Sequence, residues 1–460
     1  MKVKLILLFI VSLLFTACEK DEEITAEMNA RLSFSIDSVL FDTVFTSIGS
    51  TSRRLKIYNF NKKAILLNGI KLIGGNTSAY SLNINGQAAS EVTLLKLNGN
   101  DSMNVFIKVN VNPTDQKLPF LVKDSIEFFY NGIRKSIPLV AYGQNANFMN
   151  NVSIKNNTIW DSKLPYIVYK SVTVEDGATL TIAPGSKVLF HSNATMSIKG
   201  TLNAQGRKAD SIIFASDRLE DIYMDEPGQW NGLHFYPQSK NSQINYAQIK
   251  NAVAGITCDS LSITNQPKLL LTNTIIKNME VVGFLGYQTE LTGFNNLFFN
   301  CRQYLVYGVG GGKYNLKQNT FVGYNPQYAR KTGAVYFSDF ISSTQSDHLT
   351  LDVQNNIVWG NLINEFIIDK KSPNVSITAI IKNNLLKSNE LSYSNTGNIL
   401  NVDPLFINPF LGNFRLNKNS PALNKGIDLS NDAYFNLFLK KDLRNIERIF
   451  PSELGCYENN

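Results

Sequence analysis

A four-residue pattern, asparagine followed by threonine or asparagine and then two apolar residues, recurs five times between residues 273 and 388. The copies are Asn273-Thr274-Ile275-Ile276, Asn295-Asn296-Leu297-Phe298, Asn319-Thr320-Phe321-Val322, Asn355-Asn356-Ile357-Val358 and Asn383-Asn384-Leu385-Leu386, at intervals of 22, 24, 36 and 28 residues. A weaker copy, Tyr246-Ala247-Gln248-Ile249, lies just upstream. Recurrence every 20 to 50 residues or so marks a stacked-repeat architecture, in which each unit buries its apolar face against its neighbours. The units are β-branched or aromatic, are bounded by turn residues and lack a 3.6-residue period, so each reads as a short strand. The expected object is an all-β chain containing a parallel β-helix. Asparagine tolerates the left-handed backbone conformation and so suits the corner of a coil. Amides stacked roughly 4.8 Å apart can also hydrogen-bond along the stack. Only one residue of each apolar pair can face the core, and a slip of one residue exchanges them, so the register stays open.

The chain opens with Lys2 and Lys4, an apolar run over residues 5–14, and Phe15-Thr16-Ala17-Cys18. That run is too short and wrongly flanked to remain as a membrane span, so residues 1–17 read as a secretory signal. The small residues before Cys18 resemble the bacterial lipobox, although Phe15 replaces its usual leucine. The resemblance implies cleavage before Cys18 and its lipidation, with residues 18–30 as a tether and the membrane as a partner through the lipid. Glu19-Lys20-Asp21-Glu22-Glu23 resembles the acidic export tag of Bacteroidetes lipoproteins, which implies an outer-membrane protein facing the cell exterior. At that address nucleic acid is not an expected partner. Cys258, Cys301 and Cys456 are odd in number and far apart, which gives no disulfide framework or zinc spacing.

Residues 31–145 carry about seven alternating segments, among them Leu55-Lys56-Ile57-Tyr58 and Val105-Phe106-Ile107-Lys108-Val109, separated by turns such as Asn85-Gly86 and Asn131-Gly132. That count and spacing fit an immunoglobulin-like β-sandwich. Phe41-Asp42-Thr43-Val44-Phe45, Tyr58-Asn59, Val111-Asn112-Pro113 and Ala141-Tyr142-Gly143 resemble the Hydin-like, choice-of-anchor-D class, which implies a spacer or binding module.

Residues 150–400 are expected to form the β-helix. Leu180-Thr181-Ile182-Ala183-Pro184-Gly185 and Gln229-Trp230-Asn231-Gly232-Leu233-His234-Phe235 resemble coils of surface β-helix lipoproteins, and the pectate-lyase-like class implies a right-handed winding. In residues 401–460, Asp403-Pro404-Leu405-Phe406, Ser420-Pro421-Ala422 and Leu454-Gly455-Cys456-Tyr457-Glu458 resemble the choice-of-anchor-Q ending of such proteins, with Cys456 where alanine is commoner. That ending is expected to protect the open strand edge at the end of the solenoid.

The chemistry-bearing candidates are sparse. Polygalacturonase-like hydrolysis needs paired carboxylates, yet Ile275 and Phe321 stand where that family's Asn-Thr-Asp carries its aspartate. Asp217, Glu220, Asp221 and Asp225 form the acid-rich stretch of the coils and are a calcium candidate, with a solvated insertion as the alternative. His191, His234 and His348 are isolated, against a metal or triad role. Gly308-Val309-Gly310-Gly311-Gly312-Lys313 has a phosphate-loop look, but Tyr307 and Tyr314 flank it and no helix pattern follows, so a coil turn is expected. Aromatic residues crowd the later coils, and Trp230, His234, Tyr236, Tyr307, Tyr314 and Trp359 are the candidate glycan-facing set. Six Asp-Ser/Thr-apolar tripeptides, Asp124-Ser125-Ile126 among them, resemble Bacteroidetes O-glycosylation sites.

These readings converge on a lipid-anchored surface protein, a non-enzymatic glycan-binding or adhesion module displayed on a β-sandwich stalk, with a polysaccharide as the possible partner. No catalytic residue is assigned. The alternatives are a polysaccharide lyase acting on acidic glycans and a structural coat component.

Overall fold

The computed structural model describes residues 22–115, 117–324, 328–342 and 344–459. The signal segment 1–17 and Cys18, with the first residues of the tether, lie outside the described residues. The chain divides into two compact units between Asn145 and Ala146, and both are built almost wholly of strands and turns.

In the first unit the alternating segments become strands in which nearly every second residue is buried, as in Arg53–Asn59 and Asp101–Val109. Among the described residues they form a six-stranded and a five-stranded sheet. One apolar cluster joins the two sheets, drawing Leu55, Ile57, Val105 and Ile107 from one and Ile65, Leu67, Ile126 and Phe128 from the other. Each such side chain contributes roughly 1.5–3 kcal/mol on burial. The buried amide of Asn59 donates to the carbonyls of Leu97 and Asn98 at 3.1 and 2.9 Å, satisfying acceptors at the end of a neighbouring strand.

The second unit is solenoid-like. Its principal strands pair in parallel with those one coil before and after, in an 11-stranded and a 16-stranded sheet among the described residues. One buried column of the 16-stranded sheet runs Val172, Met196, Leu233, Ile256, Phe284, Val306, Val335, Phe366. A matching column of the 11-stranded sheet runs Val188, Phe214, Ile249, Ile276, Phe298, Phe321, Val358, Leu386. Both belong to one continuous apolar interior. In the later coils two short strands fuse into the long ones Val282–Phe294 and Tyr304–Lys317. The glycine run lies in the second of these, where Gly310, Gly311 and Gly312 all have positive φ. A Cβ on Gly311 would stand 2.4 Å from the Asp347 carbonyl oxygen, so this is a bend between crowded coils and needs glycine.

The structure gives the four positions of the repeat four separate tasks. The first is the left-handed corner, with φ between 49° and 58° at Asn273, Asn295, Asn355 and Asn383. The second carries the internal ladder: Asn296, Asn319, Asn356, Asn384 and Asn398 bond amide to amide at 2.8–3.0 Å. The third faces outward, and the fourth fills the interior. Corner and ladder, expected from one asparagine, therefore belong to two adjacent columns. The third copy is also displaced by one: Gln318 takes the corner at φ 58°, Asn319 joins the ladder, and Thr320 aligns with Leu297 and Ile357. The rungs from Asn296 to Asn398 are buried amides, with Thr274 ending the row, whereas a corner tolerates glutamine, so the ladder sets the register.

In four of the five apolar pairs both residues are buried, and Ile275 of the first is half-buried, because the outer face of the 11-stranded sheet is covered in turn. Phe406, Phe414, Leu416, Ala422, Leu443, Leu454 and Cys456 pack on Leu297, Ile357 and Leu385. Residues 401–459 thus lie along the side of the coils, where the sequence reading put them over the end. The last coil is instead covered by the short helix Leu391–Thr396, with Tyr393 set against Phe366 at 5.8 Å. An outward apolar row three or more coils long needs a lid more than the end does.

Candidate functional site

Outward residues of the 16-stranded sheet alternate with the interior column and stack into rows. One row is Ser197, His234, Thr257, Leu285, Tyr307, Tyr336, Ile367, and beside it Asp259 aligns with Tyr287 and Val309. At roughly 4.8 Å per rung, His234 to Tyr336 spans about 19 Å.

Two polar stations punctuate this stripe. At one, His234 Nε2 lies 2.8 Å from Asp259 Oδ2, and the imidazole stacks on Tyr236 with centroids 4.2 Å apart. At the other, the Tyr336 hydroxyl donates to Asp369, whose carboxylate also pairs with Lys371 at 3.3 Å. Between them Tyr304 stacks on Tyr307 at 4.4 Å, and Tyr336 meets Tyr307 edge-on at 5.5 Å. Partial burial holds the phenols of Tyr304, Tyr307 and Tyr336 above the ordinary tyrosine range, the last reinforced by its bond to Asp369. They stay protonated donors at neutral pH. Tyr287 remains 42% exposed. The stripe thus offers flat apolar faces, hydroxyl donors and carboxylate acceptors, the combination that takes up a sugar ring by its C–H face and its hydroxyls.

Of the glycan-facing candidates, His234, Tyr236 and Tyr307 stand on this stripe, half-buried. The other three are corrected by their burial. Trp230 is fully buried, stacked on Phe190 at 3.9 Å, with its indole N–H donating to the Lys250 carbonyl. Tyr314 points into the interior against Phe337, its hydroxyl without a hydrogen-bond partner. Trp359 lies beneath the closing segment and donates to the Tyr324 hydroxyl at 2.8 Å. Their strand parity, invisible before the register was known, turned them inward or under the lid.

The four acids of residues 217–225 are not brought together. Asp217 pairs with His191 at 2.8 Å, and burial raises its carboxyl above the usual range. Glu220 is held by Arg218, Asp221 lies exposed in a single turn, and Asp225 accepts from Asn278 at 2.8 Å. Among the described residues no three histidine, cysteine or acidic side chains converge as metal ligands would. His191 and His234 each have a carboxylate partner, and His348 Nδ1 sits 2.7 Å from Ser376 Oγ. Cys258, Cys301 and Cys456 are free and buried, and burial pushes the thiols of the last two up to about 12, so they are inert apolar filler.

Sequence reasoning missed Asp259 and Asp369, which lie 25 and 33 residues from the side chains they bond. Asp259 heads one of the Asp-Ser-apolar tripeptides, but no local motif marks either residue as a partner of the stripe, and only the coil length brings them alongside.

No family model and no curated protein matches the chain. Of 28 matching chains among solved structures, one is a family 123 glycoside hydrolase from Clostridium perfringens, 10% identical over 26% of this chain and 30% of its own, with a TM-score of 0.18. Another is PapD-like domain 7 of human CEP192, 9% identical over 28% of this chain and 94% of its own, with a TM-score of 0.18. At such values neither likeness bears on fold or activity.

Proposed function

We propose that this chain is a surface lipoprotein of the Bacteroidetes kind, anchored through Cys18 to the outer membrane. Its first unit is an immunoglobulin-like sandwich of the Hydin-like class and its second a right-handed parallel β-helix. On this reading the β-helix binds a polysaccharide laid along the stripe from His234 to Asp369, without cleaving it. The observation that carries the reading is the clustering of Tyr304, Tyr307 and Tyr336 on one outer sheet face, beside an exposed Tyr287. Rings that need only fill a core would sit on the inner parity. Each ring that stacks on a sugar contributes on the order of 1 kcal/mol, so several in a row give useful affinity for a chain of sugars.

The test is a polysaccharide array probed with residues 19–460 and with Tyr307→Ala and Tyr336→Ala. Retention of a plant or host polysaccharide by the parent, lost in both variants at unchanged melting temperature, is the expected outcome. Equal retention by the variants removes the stripe from the reading. The His234–Asp259 pair favours a second reading, a lyase with His234 as base, which requires absorbance from unsaturated uronate products that His234→Ala abolishes.

A further inference from the structure

Strand parity gives the five-stranded sheet of the first unit an inner and an outer face. Leu55, Ile57, Val105 and Ile107 turn into the sandwich, and the alternate residues Arg54, Lys56, Tyr58, Phe106 and Lys108 turn out. On the outer face Arg54 stands opposite Phe106, Phe106 opposite Asn83, and Lys108 opposite Ser81. Tyr58 lies between Ser33 and Ser102 on the strands to either side. With about 4.8 Å between strands and about 3.4 Å per residue along them, Tyr58 and Phe106 are about 14 Å apart.

This face combines charge with flat rings. No outward position of the strands Arg53–Asn59, Tyr80–Ile84 and Asp101–Val109 carries a carboxylate. Arg53, on the inward parity, pairs with Asp42 at 3.2 Å, whereas Arg54, Lys56 and Lys108 have no ion-pair partner among the described residues. Three cations without a counter-charge make the face positive, so it attracts an anion. The rings lie among them. Phe106 is 42% exposed, and Phe60, just beyond the end of its strand, is 70% exposed. Tyr58 and Phe60 lie parallel at 5.3 Å, with the Lys56 ammonium 5.0 Å from the Tyr58 centroid. A purely apolar patch would suit another protein, and a bare cation cluster a small anion. Cations interleaved with rings over 14 Å suit a polymer whose units carry both a flat C–H face and an anion. The Ser33, Ser81 and Ser102 hydroxyls can exchange hydrogen bonds with the hydroxyls of such a chain.

We infer that this face binds an acidic polysaccharide, with uronate carboxylates on Arg54, Lys56 and Lys108 and sugar rings on Phe106 and the Tyr58–Phe60 pair. The guanidinium of Arg54 presents the forked donors that a carboxylate takes up in pairs. Single-stranded nucleic acid shares the negative charge and the flat rings. The choice of a polysaccharide over it rests on the reading of residues 1–17 as an export signal, while the site itself does not. The face belongs to a different unit from the stripe and stands or falls without it.

Affinity electrophoresis of residues 19–460 through gels containing polygalacturonate or hyaluronate tests it, against gels containing dextran, polyglutamate or single-stranded poly-dT. Retardation by at least one of the two acidic polysaccharides is expected, with none by dextran and less by polyglutamate, which has the carboxylates without the rings. Arg54→Gln and Phe106→Ala should each weaken that binding by about two- to fivefold, and Arg54→Gln combined with Lys108→Gln by about tenfold. All three positions are exposed, and melting curves confirm that the variants are folded. Tyr307→Ala, on the stripe, should leave the retardation unchanged. Silence from both acidic polysaccharides, polyglutamate bound as tightly as either, parent affinity in the folded double variant, or a loss confined to Tyr307→Ala overturns the assignment. Tighter retention by poly-dT overturns it too, and if Arg54→Gln weakens that retention the export reading has failed rather than the face.

Discussion

Asn355 and Ile427 are joined by two reciprocal hydrogen bonds: the asparagine amide donates to the Ile427 carbonyl at 3.0 Å, and its oxygen accepts from the Ile427 amide at 2.9 Å. The same corner column makes similar contacts elsewhere. Asn295 donates to the carbonyls of Phe438 and Lys441, Gln318 to Ser452 and Asn383 to Lys425. Only the left-handed backbone turns these amides out of the coil, so the corners that bend the solenoid also attach its lid. Asn273 bonds to Asn245 instead.

Asn355→Gly keeps the corner conformation and removes both bonds, whereas Asn355→Ala removes the bonds and strains the corner. The expected losses are about 1–2 kcal/mol for glycine and about 1 kcal/mol more for alanine. Urea denaturation measures the losses, and limited proteolysis should cut within residues 401–459 first. Equal stability of parent and glycine variant would show that the lid is held by its apolar contacts alone.

Asn319 accepts from Asn296 and donates to the Gly293 carbonyl and to Asn356, all buried. Asn319→Leu strands several of those groups at about 1–3 kcal/mol each, while Thr320→Val, on the next column, loses the hydroxyl's bonds with the Cys456 amide and thiol. A melting temperature lowered far more by the first substitution than by the second confirms the ladder register. The reverse order would place the ladder at Thr320.

Arg330 and Glu365 form a buried ion pair at 2.5 Å, and Glu365 also accepts from the backbone of Ala334 and Leu362. Arg330→Met leaves an unpaired buried carboxylate, an expected cost of about 3–5 kcal/mol. The double variant with Glu365→Gln should recover part of that, since no charge is then stranded. A double-mutant cycle of unfolding free energies checks both statements.

Glu458 pairs with Arg448 in the lid, yet burial first, and then its hydrogen bond to Glu453, raises its carboxyl to about 8. A carboxyl held above its unfolded value of 4.5 binds its proton more tightly in the folded chain. The stability it contributes is therefore complete below about pH 4.5 and is lost as pH rises through about 8. Glu458→Gln should flatten this dependence. Melting curves at pH 5, 7 and 9 that fall equally for parent and variant would assign the change to another group.

The repeat by itself determined that the chain stacks short strands into coils, with asparagine at the bends and apolar residues within, because those preferences are local to a few residues. Parity of the strands was not local. Which of Ile357 and Val358 turns inward, why Asn319 falls out of step with Asn295, and why Trp230 and Trp359 are hidden were all settled by pairing with residues 22 to 37 positions away. The stripe was half legible, since its tyrosines are a compositional cluster but Asp259 and Asp369 join them only through coil length. The covering of the outer sheet face was invisible to the sequence: Phe299 and Phe414 meet only because residues 401–459 fold back over a face that would otherwise leave its apolar row in water.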